Sequence, residues 1–163
     1  MDVGGNTGRF ALRCVEYDPE VNVTIVDLPG QIGMMKKNVE GKEGAERING
    51  YPTNILDEHN DLPQGSWDAI WMSQFLDCFS EEEIYSILVR AARVMKNDST
   101  LYIMETFWDR QKYEPASLCL TMTSVYFTVM ANGNSKMYHS DDMIKQIDRA
   151  GLRVVDTHDG IGQ

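Results

Sequence analysis

Two hydrophobic periods alternate along this chain. Short continuous apolar runs, each closing at a glycine, an acid or a small polar residue, are separated by stretches whose apolar positions recur at helical spacing. The runs are the tail Met1-Asp2-Val3, then Val21 to Val26, Trp67 to Gln74, Thr100 to Thr106 and Leu152 to Val155, and they predict strands, with the more polar Arg47 to Tyr51 as a candidate for a short third one. Between them the pattern predicts helices from Thr7 to about Tyr17 and from Ile32 to Val39. Another helix follows the capping box Ser80-Glu81-Glu82-Glu83, with Ile84, Ile87, Leu88, Ala91, Val94 and Met95 on one face and an end near Lys96-Asn97-Asp98. Ala116 to Ala131 carries no charge, so as a helix it should be buried, either as a core or dimer-packing element or as a lid whose Met122, Tyr126, Phe127 and Met130 wall an apolar pocket. A polar loop, 132–139, leads to a helix that Ser140 should cap, with Asp141 and Asp142 on its positive end.

Strands alternating with helices specify an α/β fold, a Rossmann-like doubly wound parallel sheet, with ligands held at the carboxyl ends of the strands. Gly4 to Gly8, Asp27, Asn54, Ser73, Asp77 and Glu105 all fall at or just past such ends. The turn Asp2-Val3-Gly4-Gly5-Asn6-Thr7-Gly8 joins a strand to a helix, and its glycines let backbone N–H groups and a helix N-terminus come close to a ligand. Asp27 ends the next strand about 20 residues on, where a carboxylate accepts both hydroxyls of a ribose. The expected ligand is a nucleoside. A dinucleotide fingerprint fits poorly, because Asn6 and Arg9 occupy its second and third glycine positions.

The glycine turn resembles the D-x-G-G-x-x-G turn of class I S-adenosylmethionine-dependent methyltransferases. From DVGGNTGRF and VDLPG through DAIWMSQFLDCFSEEE to SDDMIKQIDRAGLRVV, the chain is similar to small-molecule O-methyltransferases related to plant caffeate and acetylserotonin methyltransferases. The resemblance implies S-adenosyl-L-methionine as cofactor. It places Asp2 at the amino end, Gly4, Gly5 and Gly8 against the cofactor, Asp27 and Leu28 at the ribose, and Ser73 at a neighbouring strand end. Asn54 and Ile55 match the pair that holds the adenine. The family has an acid where Asn54 stands, and an amide still offers one donor and one acceptor, although Asn54 also suits an ordinary turn.

The family's catalytic histidine is replaced by Asp77, a second carboxylate that orients it is replaced by Met137, and Glu105 matches a family acid. A phenol giving its proton to an ordinary aspartate moves uphill by about 8 kcal/mol. Either burial raises Asp77, or His139 supplies the base, or the acceptor is already acidic. The implied activity is methylation of a small hydroxylated aromatic or polyketide-like acceptor, free or carrier-bound. One rival is a cofactor-binding paralogue without activity that serves as partner or regulator, favoured by the altered catalytic positions; another is an NAD-dependent oxidoreductase, favoured by fold alone.

Charge narrows the partners. The 163 residues carry a formal charge of -10 with scattered Lys and Arg, which disfavours nucleic acid and anionic membranes. Cys14, Cys78 and Cys119 lack metal-type spacing and read as small buried thiols of a cytoplasmic protein, with no metal site expected. No apolar run reaches the roughly 20 residues that cross a bilayer. The chain is expected to be one catalytic domain, 1–163, cut at both ends. The missing parts would be the N-terminal domain through which family members form homodimers and the last strand of the sheet.

Overall fold

The computed structural model describes residues 1–130 and 133–160. Ala131 and Asn132, expected to close the apolar helix and open the following loop, and the terminal Ile161, Gly162 and Gln163 lie outside the described residues. By its contacts the chain divides into two compact units, Met1–Ser73 with Arg93–Met104, and Gln74–Ala92 with Glu105–Gln163.

The first unit holds the whole sheet. Strands β1 (Asp2–Val3), β2 (Val23–Asp27), β3 (Ile48–Pro52), β4 (Trp67–Ser73) and β5 (Met95–Met104) are all parallel, in the order β3-β2-β1-β4-β5. The order reverses at β1, so the crevice between β1 and β4 is the place where such a sheet receives a ligand. The register puts Asp2, Ile25 and Trp71 in one row on one face and Val3, Val26 and Met72 on the other. Helices α1 (Arg9–Tyr17) and α2 (Pro29–Val39) cover the first face, where Ala11, Val15, Ile25, Ile32, Met35 and Ile48 form one core. The second face is closed as well, with Val3, Val26, Ile70 and Met72 almost fully buried. A parallel sheet buried on both sides explains why its strands read as continuous apolar runs.

Gly8 is where α1 meets α2. It caps α1 in the left-handed region (φ 77°), and a Cβ there would stand 2.9 Å from Met35 and 3.3 Å from Ile25 and Val39. Only glycine fits both demands.

Helix α3 (Glu81–Val94) begins with the expected capping box. Ser80 N–H and Oγ both bond Glu83 Oε2, at 2.7 and 2.8 Å, and Ser80 Oγ accepts from the Glu83 amide. The helix stops earlier than its apolar spacing suggests. β5 already begins at Met95, because Ser99 Oγ bonds both Trp67 O and Lys96 N–H and draws 95–99 onto the start of β4.

In the second unit, helix α4 (Glu114–Met130) corrects the expectation of burial: none of its residues is buried, and Leu118, Met122, Val125, Tyr126, Val129 and Met130 are each more than half exposed. An all-apolar helix needs neighbours on every side. Among the described residues, Ser117 and Thr128 of α4 donate to the carbonyls of Trp108 and Ser135, and Ser124 Oγ accepts the Met137 amide. Its threonine hydroxyls bond carbonyls one turn back, at Thr121, Thr123 and Thr128, so the helix satisfies its own polar groups.

Helix α5 (Ser140–Arg149) starts one residue before its expected position. Its cap is His139, not Ser140: His139 Nδ1 accepts the Asp141 amide at 3.1 Å, while the Ser140 hydroxyl and amide are both taken by Asp109. Asp141 and Asp142 do occupy the first turn. The expected strand at Leu152 to Val155 does not form, since no ladder partner reaches it among the described residues and Val155 is largely exposed. Cys78 and Cys119 are exposed and Cys14 half-buried, which corrects the expectation of core thiols. Among the described residues no helix is long and apolar enough to cross a membrane, and no cluster of metal-ligating side chains occurs.

Candidate functional site

In the first unit, the turn after β1 is built from left-handed residues. Gly4 (φ 78°), Asn6 (φ 49°) and Gly8 lie in that region, and Gly4 N–H bonds Val26 O at 2.9 Å. Asparagine tolerates this conformation better than other side chains. The turn folds back onto Asp27, whose Oδ2 accepts the Asn6 amide at 2.8 Å while Oδ1 accepts the Leu28 amide at 2.7 Å. An ionised carboxylate offers about four acceptor positions. Among the described residues one amide reaches each Asp27 oxygen, which leaves acceptor capacity on both.

An open cleft of about 530 Å³ lies beside this turn, lined by Asp2, Gly4, Gly5, Asn6, Thr7, Arg9, Phe10, Trp71, Ser73 and Met104. Asp2 is buried, and its Oδ2 has no partner among the described residues. A Cβ on Gly5 would come within 2.4 Å of that oxygen, so glycine is what keeps Asp2 in place. Burial pushes the Asp2 carboxyl up to about 6, the charge of Asp27 adds to this, and the Met1 amine opposes it. A buried acid with an unused oxygen fits a cationic group of a ligand.

Four of the expected binding residues, Asp2, Gly4, Gly5 and Ser73, share this cleft. Asp27 joins it through Asn6. Gly8 lies behind the turn in the α1/α2 packing. Leu28 is half-exposed at the cap of α2. Asn54 is exposed and its Oδ1 closes an Asx turn on the Leu56 amide (3.1 Å), while Ile55 is buried. The exposed apolar side chain in that loop is Leu56, which the sequence reading passed over. It also passed over Phe10 and Trp71, stacked with ring centroids 4.7 Å apart. Their meeting becomes visible only once β4 is known to lie beside β1.

The expected catalytic residues belong to the second unit. Asp77 sits in the 3-10 turn Leu76–Cys78, half-buried, with Cys78 Sγ donating to its Oδ1 at 3.5 Å. Burial raises the Asp77 carboxyl above the usual range. Glu105 Oε1 accepts the amides of Phe75 and Leu76 at 2.9 and 2.7 Å, and its Oε2 is enclosed without a partner among the described residues. Burial, and then the charge of Asp77, push Glu105 up to about 8 against those two amides. His139 has other partners. Its Nδ1 lone pair is occupied as the α5 cap, its ring meets Trp108 edge-on at 5.0 Å, and Asp109 and Asp141 flank it at 3.8 and 3.7 Å.

Comparison with known proteins adds the following. The sequence matches the profile of the O-methyltransferase domain over residues 1–153. It is 28% identical over 109 residues to the bacteriochlorophyllide d C-20 methyltransferase of Chlorobaculum tepidum, covering 67% of this chain and 31% of that protein. It is 22% identical over 157 residues to the O-methyltransferase SfmM3 of Streptomyces lavendulae, covering 94% of this chain and 46% of that one. Among solved structures, TnmH superposes with a TM-score of 0.84 at 22% identity over 96% of this chain and 44% of its own. PigF with SAH gives 0.80 at 20% identity over 92% and 43%. The fold is thus the one these proteins share, and the chain spans less than half the length of each.

Asp2 makes a prediction about stability. Its folded value of about 6 lies above its ordinary 3.8, so the folded chain holds this proton more tightly than the unfolded chain. The group favours folding fully below about pH 4, and that contribution is lost as pH rises through about 6, where the ionised buried carboxylate costs on the order of 3 kcal/mol. Urea denaturation of Asp2→Asn should match the native protein at pH 4 and exceed it by about 1 to 3 kcal/mol at pH 8. Equal stability of the two proteins at pH 8 would show that Asp2 is not held as a strained acid.

Proposed function

The chain belongs to the O-methyltransferase domain family, and from that premise we propose that it is the catalytic part of an S-adenosyl-L-methionine-dependent O-methyltransferase acting on a small hydroxylated, aromatic or polyketide-like acceptor. The observation that carries the cofactor assignment is Asp27, which holds the glycine turn through Asn6 and keeps one open acceptor position on each oxygen for a ribose diol. Asp2 supplies the complement for the cofactor's amino group, its unpartnered oxygen being kept in place by the absence of a Cβ on Gly5. Gly4 and Ser73 line the same cleft, and Leu28 offers an open apolar side chain to the nucleoside. In the loop after β3 the adenine is assigned to Asn54 and Ile55, where the exposed Leu56 is better placed than the buried Ile55 for the apolar contact.

When bound, the cofactor supplies a methyl group on a positively charged sulfur. What remains for the protein is to align the acceptor and dispose of its proton. Alignment alone contributes on the order of 7 to 11 kcal/mol in favourable cases. Asp77 is assigned the proton, because burial raises its carboxyl and so narrows the gap of about 8 kcal/mol that separates a phenol from an ordinary aspartate. His139 is the weaker candidate, since accepting a proton on Nδ1 would cost the Asp141 amide its partner. Relatives named as O-methyltransferases, the mitomycin biosynthesis 6-O-methyltransferase of Streptomyces lavendulae among them, favour oxygen as the methylated atom, against the C-20 methyltransferase of Chlorobaculum tepidum. The exposed apolar side chains of α4 suit a subunit or domain contact, and a homodimer is part of the proposal.

A second reading is a cofactor-binding paralogue without activity, favoured by Asp77 and Met137 at the two positions where related enzymes carry a histidine and its carboxylate partner. Incubation with labelled S-adenosylmethionine and a panel of phenols separates the two. Methyl transfer supports the enzyme, and binding without turnover supports the paralogue.

Two variant experiments test the residue assignments. In calorimetry with S-adenosylhomocysteine, Asp27→Ala should lose about 2 to 5 kcal/mol, at least about thirtyfold in affinity, and unchanged binding would remove Asp27 from the cofactor site. In kcat measured across pH, Asp77→Asn should fall by about two decades or more, and His139→Ala by less than about one. The reverse ordering would transfer the proton to His139.

A further inference from the structure

We propose that Arg9 is a binding residue of the cleft beside the glycine turn: it takes the carboxylate of a ligand's amino-acid end while Asp2 takes the ammonium group. The inference rests on the reading of this cleft as a nucleoside cofactor site, and it adds the residue that recognises the second charge.

Among the residues that line the cleft, Asp2 is the one acid and Arg9 the one base. Asp2 is 3% exposed, and its Oδ2 has no partner among the described residues. The Arg9 guanidinium is exposed and has no hydrogen-bond or ion-pair partner among them either. The two charges therefore share a cleft without neutralising each other. Other arginines of the same unit are engaged. Arg47 donates to the carbonyls of Val15, Asp18 and Val21, at 2.8, 2.9 and 3.1 Å, and Arg13 pairs with Glu16 at 2.6 Å.

The place of Arg9 runs against its local electrostatics. It is the first residue of α1, where Gly8 provides no side-chain cap and the first turn holds no acid. A cation at that end of a helix is disfavoured by the helix dipole, whereas an anion is favoured by the dipole and by the free amides. Arginine and helix end thus attract the same negatively charged group. The turn also fixes the start of α1 relative to Asp2. Gly8 N–H bonds Gly5 O at 2.9 Å, Gly8 packs against Met35 in the left-handed region, and Gly5 lies against the Asp2 carboxyl.

The pair of charges selects the ligand class. A phosphate would suit Arg9 and the helix end, but it would also meet the carboxylates of Asp2 and Asp27. A simple cation would suit Asp2 and meet the charge of Arg9. An ammonium and a carboxylate on one carbon, as in an α-amino acid, satisfy both. With Asp27 at the ribose and this pair at the far end, the sulfur between them is held from two sides, which is the alignment a methyl transfer requires. The glycine-turn motif ends at Gly8 and gives Arg9 no part. The assignment comes from two unpaired opposite charges lining one cleft.

The test is calorimetry at pH 8, where Asp2, raised by burial to about 6, is ionised. Three ligands are compared: S-adenosylhomocysteine, S-adenosyl-3-thiopropylamine, which keeps the ammonium group and lacks the carboxylate, and 5′-methylthioadenosine, which lacks both. Arg9→Ala should weaken S-adenosylhomocysteine by about fivefold or more and the other two by less than about twofold. Asp2→Asn should weaken the first two ligands by about fivefold or more and leave the third within about twofold. Arg9→Lys, which keeps the charge, should bind S-adenosylhomocysteine within about threefold of native. In the native protein added salt should weaken S-adenosylhomocysteine more than methylthioadenosine, because Arg9 is exposed. If Arg9→Ala weakens all three ligands alike, its part is structural and the proposal is overturned. Unchanged S-adenosylhomocysteine affinity in Arg9→Ala would overturn it as well. A native protein that binds methylthioadenosine and holds S-adenosylhomocysteine no more tightly would keep the nucleoside reading and overturn the amino-acid subsite alone. A native protein that binds none of the three would refute the cofactor reading and this inference with it.

Discussion

The bend between β1 and α1 depends on the carboxylate that holds it. Three left-handed residues, Gly4, Asn6 and Gly8, turn the chain from strand to helix, and Asp27 accepts the amide of Asn6. The register of β2 on β1 brings Asp27 to that amide, so the sheet, the turn and the Asp27 carboxylate are one arrangement. Its companion Asp2 is buried with one oxygen that has no partner among the described residues, which is a cost to stability.

The second unit solves a similar problem in a different way. Gln74 is also left-handed, and the turn that follows is also clamped by a carboxyl group, Glu105. The difference is exposure. Each Asp27 oxygen accepts one amide, whereas a single Glu105 oxygen accepts two, and burial raises the Glu105 carboxyl.

Much of this was legible in the sequence. The runs ending at Asp27 and Ser73 are strands, the Ser80–Glu83 box caps a helix, and strand-helix alternation gave the parallel sheet, since these signals are local. What was not legible depends on partners far along the chain. Among the described residues, Leu152 to Val155 has strand composition but no neighbour to pair with, and α4 has core composition but no covering segment. His139 displaced Ser140 as a cap because Asp109, about 30 residues earlier, takes the serine. Glu105 could be marked as an acid at a strand end, but its hold on two amides could not be seen without the turn that presents them.

The most direct test of the account is a crystal structure of the protein with S-adenosylhomocysteine bound. The account predicts both ribose hydroxyls within about 2.6 to 3.2 Å of the Asp27 oxygens and the amino group facing Asp2. A nucleoside bound elsewhere, with the Asp27 carboxylate touching only Asn6 and Leu28, would contradict it.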